Sequence, residues 1–221
     1  MDKTTIFQRI QKVENEVALL NNTLFALKST DIVKYGANYT ELSTNATLRA
    51  ERIACQLRNL VLFTDFKGNS TYMIQAADAL GIKISYEDRI FSATLPGLLP
   101  KRRLHTNMAF LRDPLHAALK EFLKGHEVEP YKECVICFCF VYDQSLPKRR
   151  VKDYDNLELK TILDVISTYV LFDDSGLYCD SHYTTELGET DQIIVTIMEK
   201  KRFPEWLMNR EKHKITISEN M

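Results

Sequence analysis

The chain has 221 residues, enough for one large domain or two small ones with a real core. With 45% apolar and 27% charged residues it has the composition of an ordinary globular protein. The longest apolar run, CVICFCFVY (Cys134–Tyr142), is too short to span a bilayer as a helix, and the start MDKTTIFQRI lacks the apolar core of a signal peptide. Those features exclude a helical membrane protein and point to the cytoplasm, where five cysteines, an odd number, are expected as reduced thiols.

The net charge of −1 hides an uneven distribution. Residues 89–152 carry twelve Lys/Arg against six Asp/Glu, and residues 153–221 carry seven against fourteen. A basic block followed by an acidic one suits a site that holds a polyanion together with the cations that neutralise it, although solvated faces produce such blocks too.

In chain order, Ile6, Ile10, Val13, Val17, Leu20, Leu24 and Leu27 step by four and three, a heptad seam that predicts a packed helix of a hairpin or bundle. Gly36 predicts a loop over Lys34–Asn38. A second seam follows at Ala46, Ala50, Ile53, Leu57 and Leu60, and a third helix is expected over Thr71–Leu80, stopped by Gly81.

The period then changes. Strands are predicted at Arg89–Leu95, Glu133–Tyr142, Leu177–Thr184 and Gln192–Glu199, and helices at Asp113–Lys124 and Lys160–Tyr169, with Gly188 in the last turn. The expected class is α+β: an N-terminal helical domain over residues 1–80, a mixed sheet flanked by helices over 89–205, and a polar tail over 206–221.

Cys134 and Cys137 are three residues apart within a predicted strand and so point to opposite faces, which argues against zinc and for small buried hydrophobes. Two short basic stretches, PKRR (Lys101, Arg102, Arg103) and PKRRVK (Lys148, Arg149, Arg150, Lys152), each follow a strand and a proline, a pattern that suits contacts to phosphates.

The chemistry-bearing feature is VKDYDNLELKTILDVISTYVLFDDSG, Val151 to Gly176, which holds six acidic residues, two of them as D-x-D and two as D-D at the two ends of one predicted helix. A calcium loop fails, because Leu157 and Glu158 occupy the positions that need a ligand and a glycine. A helix cap accounts for one carboxylate rather than four. On an extended segment Asp153 and Asp155 share one face, and Asp173-Asp174 returns after the helix. Gathered carboxylates are tolerable when a cation joins them, and ligands that are all oxygen suit Mg²⁺ or Mn²⁺.

The order of these pieces resembles the RusA family of Holliday junction resolvases over about residues 89–200: LPGLLPKRR after the first strand, a helix, a hydrophobic strand, a basic loop, D-x-D-N, a helix with a lysine, then D-D. The resemblance implies a small α/β fold, a homodimer, and Mg²⁺-dependent endodeoxyribonuclease action on branched DNA in recombination and repair, in a family common in phages and mobile elements. It implies Asp153, Asp155 and Asp174 as metal ligands and catalytic acids, with Asp173 as a secondary acid, and a catalytic lysine. That lysine follows the second aspartate by four residues in the family pattern. Here Leu159 stands there and Lys160 comes one later, with Asp164 displaced by the same step. The helical N-terminus lies outside the resemblance. The rival expectation is a non-catalytic DNA-binding or assembly protein that keeps the fold.

Overall fold

The computed structural model describes residues 3–64, 69–97, 99, 108–148, 151–154 and 157–210. Its contacts divide the chain into two compact units, Met1–Asn69 and Ser70–Met221.

The first unit is a helical hairpin of α1 (Lys3–Ser29) and α2 (Gly36–Thr64). Its turn is built by Asp31, whose Oδ1 accepts the backbone N–H of Val33 at 2.8 Å and of Lys34 at 3.1 Å. That carboxylate lets the second helix start at Gly36, so the turn lies over 30–35 and not over Lys34–Asn38 as the glycine suggested. The helices are tied by Glu16, which pairs with Arg49 at 3.2 Å and Arg52 at 3.7 Å. The heptad seam of α1 is split: Ile6, Val13, Leu20 and Leu27 are half-buried, whereas Ile10, Val17 and Leu24 stay 40, 47 and 49% exposed.

The second unit begins with α3 (Asn69–Ala79), whose Ala77 joins the core under the sheet. The third helix thus belongs with the sheet, unlike the expected division at residue 80. It ends at Gly81, with φ +72°, the left-handed conformation that glycine adopts without a Cβ penalty.

Among the described residues five strands follow, in the order β1-β2-β5-β3-β4. They are β1 (Lys83–Glu87), β2 (Ile90–Pro96), β3 (Cys134–Asp143), β4 (Cys179–Gly188) and β5 (Gln192–Glu199). All pairings are antiparallel except β3 with β4. The parallel pair is joined through α5 (Lys160–Val170), since parallel neighbours need a crossover.

One sheet face packs on α5 and on α4 (Ala109–Gly125), through Leu111, Leu115, Leu119, Ile162, Val165 and Ile166 against Phe91, Phe138, Val195 and Ile197. On the other face, Phe203 and Trp206 of a helix over 203–210 (α6) cover Val135, Cys137 and Met198. The stretch from 206 to 210 is therefore helix rather than polar tail. Arg210 anchors it, donating to Glu186 through Nε at 2.8 Å and lying 5.1 Å from the Trp206 ring.

The fold is thus α+β with an N-terminal helical hairpin and a mixed sheet. Strand β1 escaped the sequence because its turn carries no Gly or Asn. Asp88 and Arg89 hold φ +49° and +56°, the two left-handed residues of a tight hairpin turn. Arg89 is accordingly in the turn and not in the strand.

Candidate functional site

Alternation along β3 sends Cys134, Ile136, Phe138 and Phe140 to the α4/α5 face and Val135 and Cys137 to the α6 face. Cys134 and Cys137 are therefore separated by the sheet, as their spacing required. Burial pushes the Cys137 thiol up to about 12 and raises Cys134 as well, so both are neutral thiols packed as small hydrophobes.

Because β4 runs parallel to β3 in register, Tyr183 lies beside Phe138 with ring centroids 5.5 Å apart. Tyr154, from the D-Y-D motif, lies over both strands, 5.4 Å from Phe140 and 5.4 Å from Tyr183. Its hydroxyl bonds Thr185 Oγ1 at 2.9 Å. Docking of Tyr154 and burial of Leu157 draw the chain into a turn closed by Leu157 N–H to Tyr154 C=O at 3.3 Å. Asp153 is exposed just before this turn, and the expectation that Asp155 shares its face lies outside the described residues.

Helix α5 starts beside this turn. Ile162, Val165, Ile166 and Val170 face the core, leaving Lys160 and Asp164 on the outer side. Lys160 Nζ bonds both Asp164 oxygens, at 2.8 and 3.1 Å. Asp164 is the main cause that raises the Lys160 pKa, helped by Asp174 and Glu158, so the ammonium stays charged through neutral pH. Leu159, at the position of the family's lysine, packs against the core. The one-residue shift thus puts a leucine inward and the lysine at the surface.

After α5 the chain passes Leu171, which bridges to Tyr131, and reaches the acidic pair. Asp173 Oδ1 accepts the Ser175 N–H at 2.7 Å, and Ser175 lowers the Asp173 pKa. The carbonyl of Asp173 accepts the Cys179 thiol at 3.1 Å. Asp173 is thus spent on the turn that feeds β4, which starts at Cys179 rather than Leu177. Its neighbour Asp174 is exposed.

Asp174, Lys160 and Asp164 line one cavity of about 530 Å³ with Tyr154, Tyr183, Phe138 and Leu163. The predicted acids and lysine thus partly meet: Asp174 and Lys160 share the cavity, Asp173 bonds within its own loop, and exposed Asp153 is not on the cavity lining. Among the described residues, no group of three His, Cys, Asp or Glu side chains stands ready to hold a metal. The donors at the cavity are hard oxygens, the chemistry that suits Mg²⁺ or Mn²⁺. The aromatic lining was missed in the sequence; Tyr154 and Tyr183 are 29 residues apart and carry no shared spacing.

Of the basic residues, Lys148 and Lys152 are exposed, the Lys152 backbone N–H bonding Tyr142 Oη at 3.2 Å. Lys101, Arg102, Arg103, Arg149 and Arg150 lie outside the described residues. No described helix is long and apolar enough to cross a membrane.

No curated protein matches the chain. A MotB-like protein from Desulfovibrio vulgaris overlaps 59% of this chain and 91% of its own at 11% identity, with a TM-score of 0.31, too low for any inference. A family model matches residues 2–221, and the chain belongs to that family, DUF6100, a family of unknown function.

Proposed function

We propose that the chain is a metal-dependent endodeoxyribonuclease of the RusA type, acting on branched DNA in recombination or repair in the cytoplasm. The observation that supports it most is the shared cavity, in which Asp174, Lys160 and Tyr154 of the D-x-D motif converge from three separate segments. Asp153, Asp155 and Asp174 would hold the metal, Mg²⁺ or Mn²⁺. Bound there, it would supply a lowered pKa for water and charge neutralisation at the phosphate.

The chain's own groups then have distinct tasks. Lys160, a cation near Asp174, stabilises the negative charge that grows on the phosphate as water adds and the P–O bond breaks. Asp164 fixes the ammonium's position, and its negative charge offsets part of the ammonium's field. Asp173 shapes the loop that presents Asp174. Lys148 and Lys152, with Lys101, Arg102, Arg103, Arg149 and Arg150, would neutralise flanking phosphates.

A homodimer fits the same reading, since two sites are needed to cut two strands. The uncovered ladder Ile10, Val17 and Leu24 on α1 is an apolar surface that a second hairpin would bury.

The second reading is a non-catalytic DNA-binding or assembly protein on the same fold. One observation favours it: Lys160 is already paired with Asp164. A cleavage assay with Mg²⁺ on a four-way junction and on linear duplex separates the two. Metal-dependent incision of the junction is the expected result, and binding without incision selects the second reading.

A further inference from the structure

The cavity beside Asp174 and Lys160 is floored by aromatic rings, which a site made only for metal and phosphate does not need. Phe138, Phe140, Tyr154 and Tyr183 form a connected set in which consecutive ring planes meet at 16 to 25°. Phe138 and Phe140 are buried and Tyr154 is half-buried, whereas Tyr183, with ring neighbours at Phe138 and Tyr154, stays 39% exposed. Tyr154 is held in place by its bond to Thr185, so the platform is fixed before any ligand arrives.

The surroundings narrow the ligand. The volume, about 530 Å³, falls within the range of roughly 300–1,000 Å³ for small-ligand sites. Leu157, Leu159 and Leu163 supply apolar walls, and the charged groups Lys160, Asp164 and Asp174 stand on the same lining. A planar ring carrying both an anionic group and hydrogen-bonding edges matches that set: the ring on Tyr183, the anion toward Lys160, polar edges toward the carboxylates. A nucleotide has this form.

We propose that this cavity receives a single DNA base turned out of its stack and seated on Tyr183, next to the phosphate to be cut. The inference rests on the nuclease reading for its choice of polymer. It implies a preference for DNA whose bases are unpaired or easily unstacked, such as the centre of a branch, over intact duplex. Stacking of a base on an aromatic side chain is worth roughly 5- to 150-fold in affinity and tolerates any sequence. Base extrusion costs least where pairing is already lost.

The test is equilibrium binding of the full chain, in EDTA, to a short oligothymidylate and to an equally long oligomer of abasic sites with the same phosphates. We expect the base-bearing strand to bind at least about tenfold tighter, within the range for one stacked base. Tyr183→Leu removes that preference and leaves abasic binding unchanged, whereas Tyr183→Phe keeps it. Equal affinity of the wild type for the two strands, or a preference untouched by Tyr183→Leu, overturns the inference. Junction cleavage by the same preparation separates the two proposals. Cleavage without a base preference removes the pocket and leaves the nuclease; a base preference without cleavage removes the nuclease and leaves the pocket.

Discussion

Lys160 and Asp164 stand one helical turn apart at the start of α5, with Nζ 2.8 Å from one carboxylate oxygen and 3.1 Å from the other. Both side chains are largely exposed, so the pair adds little to stability. Its consequence is for chemistry. Lys160→Ala should lower junction cleavage about 10²-fold or more, as removal of one electrostatic stabiliser does. Asp164→Asn should change cleavage far less, since it frees the ammonium instead of deleting it. A wild-type rate for Lys160→Ala in single-turnover assays would retire this lysine from the mechanism.

Asp174→Asn and Asp155→Asn should each abolish Mg²⁺-dependent cleavage while DNA binding holds or tightens, because a negative charge facing phosphate is removed with the metal ligand. Asp173→Asn should be much milder, since an amide oxygen can still accept the Ser175 N–H. Comparable loss in all three variants would contradict the division of labour between the two neighbouring aspartates.

Gly97 ends β2 where Asp191 crosses. A Cβ there would stand 2.6 Å from the Asp191 Cβ and 2.8 Å from its carbonyl carbon. Asp191 cannot easily retreat, because its Oδ1 accepts the Asp143 N–H at 2.7 Å. Gly97→Ala should therefore destabilise the sheet unit by about 1–3 kcal/mol, the cost of overpacking, read as a lower urea midpoint at an unchanged slope.

His116 on α4 shares a 3.1 Å hydrogen bond with the Tyr169 hydroxyl of α5. Burial lowers its pKa below 6.5; Asp113 opposes that shift, and Arg112 and Lys120 add to it. The unfolded chain binds this proton first as pH falls. The stability that neutral His116 contributes is therefore complete above pH 6.5 and is lost as pH drops through its lower folded value. Its imidazole resonance should titrate below 6.5 in the folded protein. His116→Gln should flatten that part of the stability profile, measured by denaturation at several pH values.

Val17→Lys tests the exposed half of the α1 ladder. The residue is 47% exposed, so the hairpin itself should lose no more than about 0.5 kcal/mol. Sedimentation should nevertheless show dimers giving way to monomers, with helix content retained. An equally tight dimer would place the association elsewhere.

The sequence by itself determined the elements whose periodicity is strong. The heptad steps of α1 and the i, i+3, i+4 pattern of α5 follow from burial of one face, and the unbroken apolar run of β3 from burial of both, each leaving its trace residue by residue. It also singled out Asp174, through the D-D pair that follows the helix, and Lys160, through its place in the family resemblance. Only the tertiary structure decided what those residues meet. Whether Ile10 or Ile6 faces α2 depends on how two helices are rotated against each other, and both choices satisfy the same seam. Asp173 and Asp174 look alike in sequence; one is consumed by a turn because Ser175 offers it an N–H two residues on. Tyr154 and Tyr183 become neighbours only because β3 and β4 pair in parallel and in register, a long-range choice that no local spacing records.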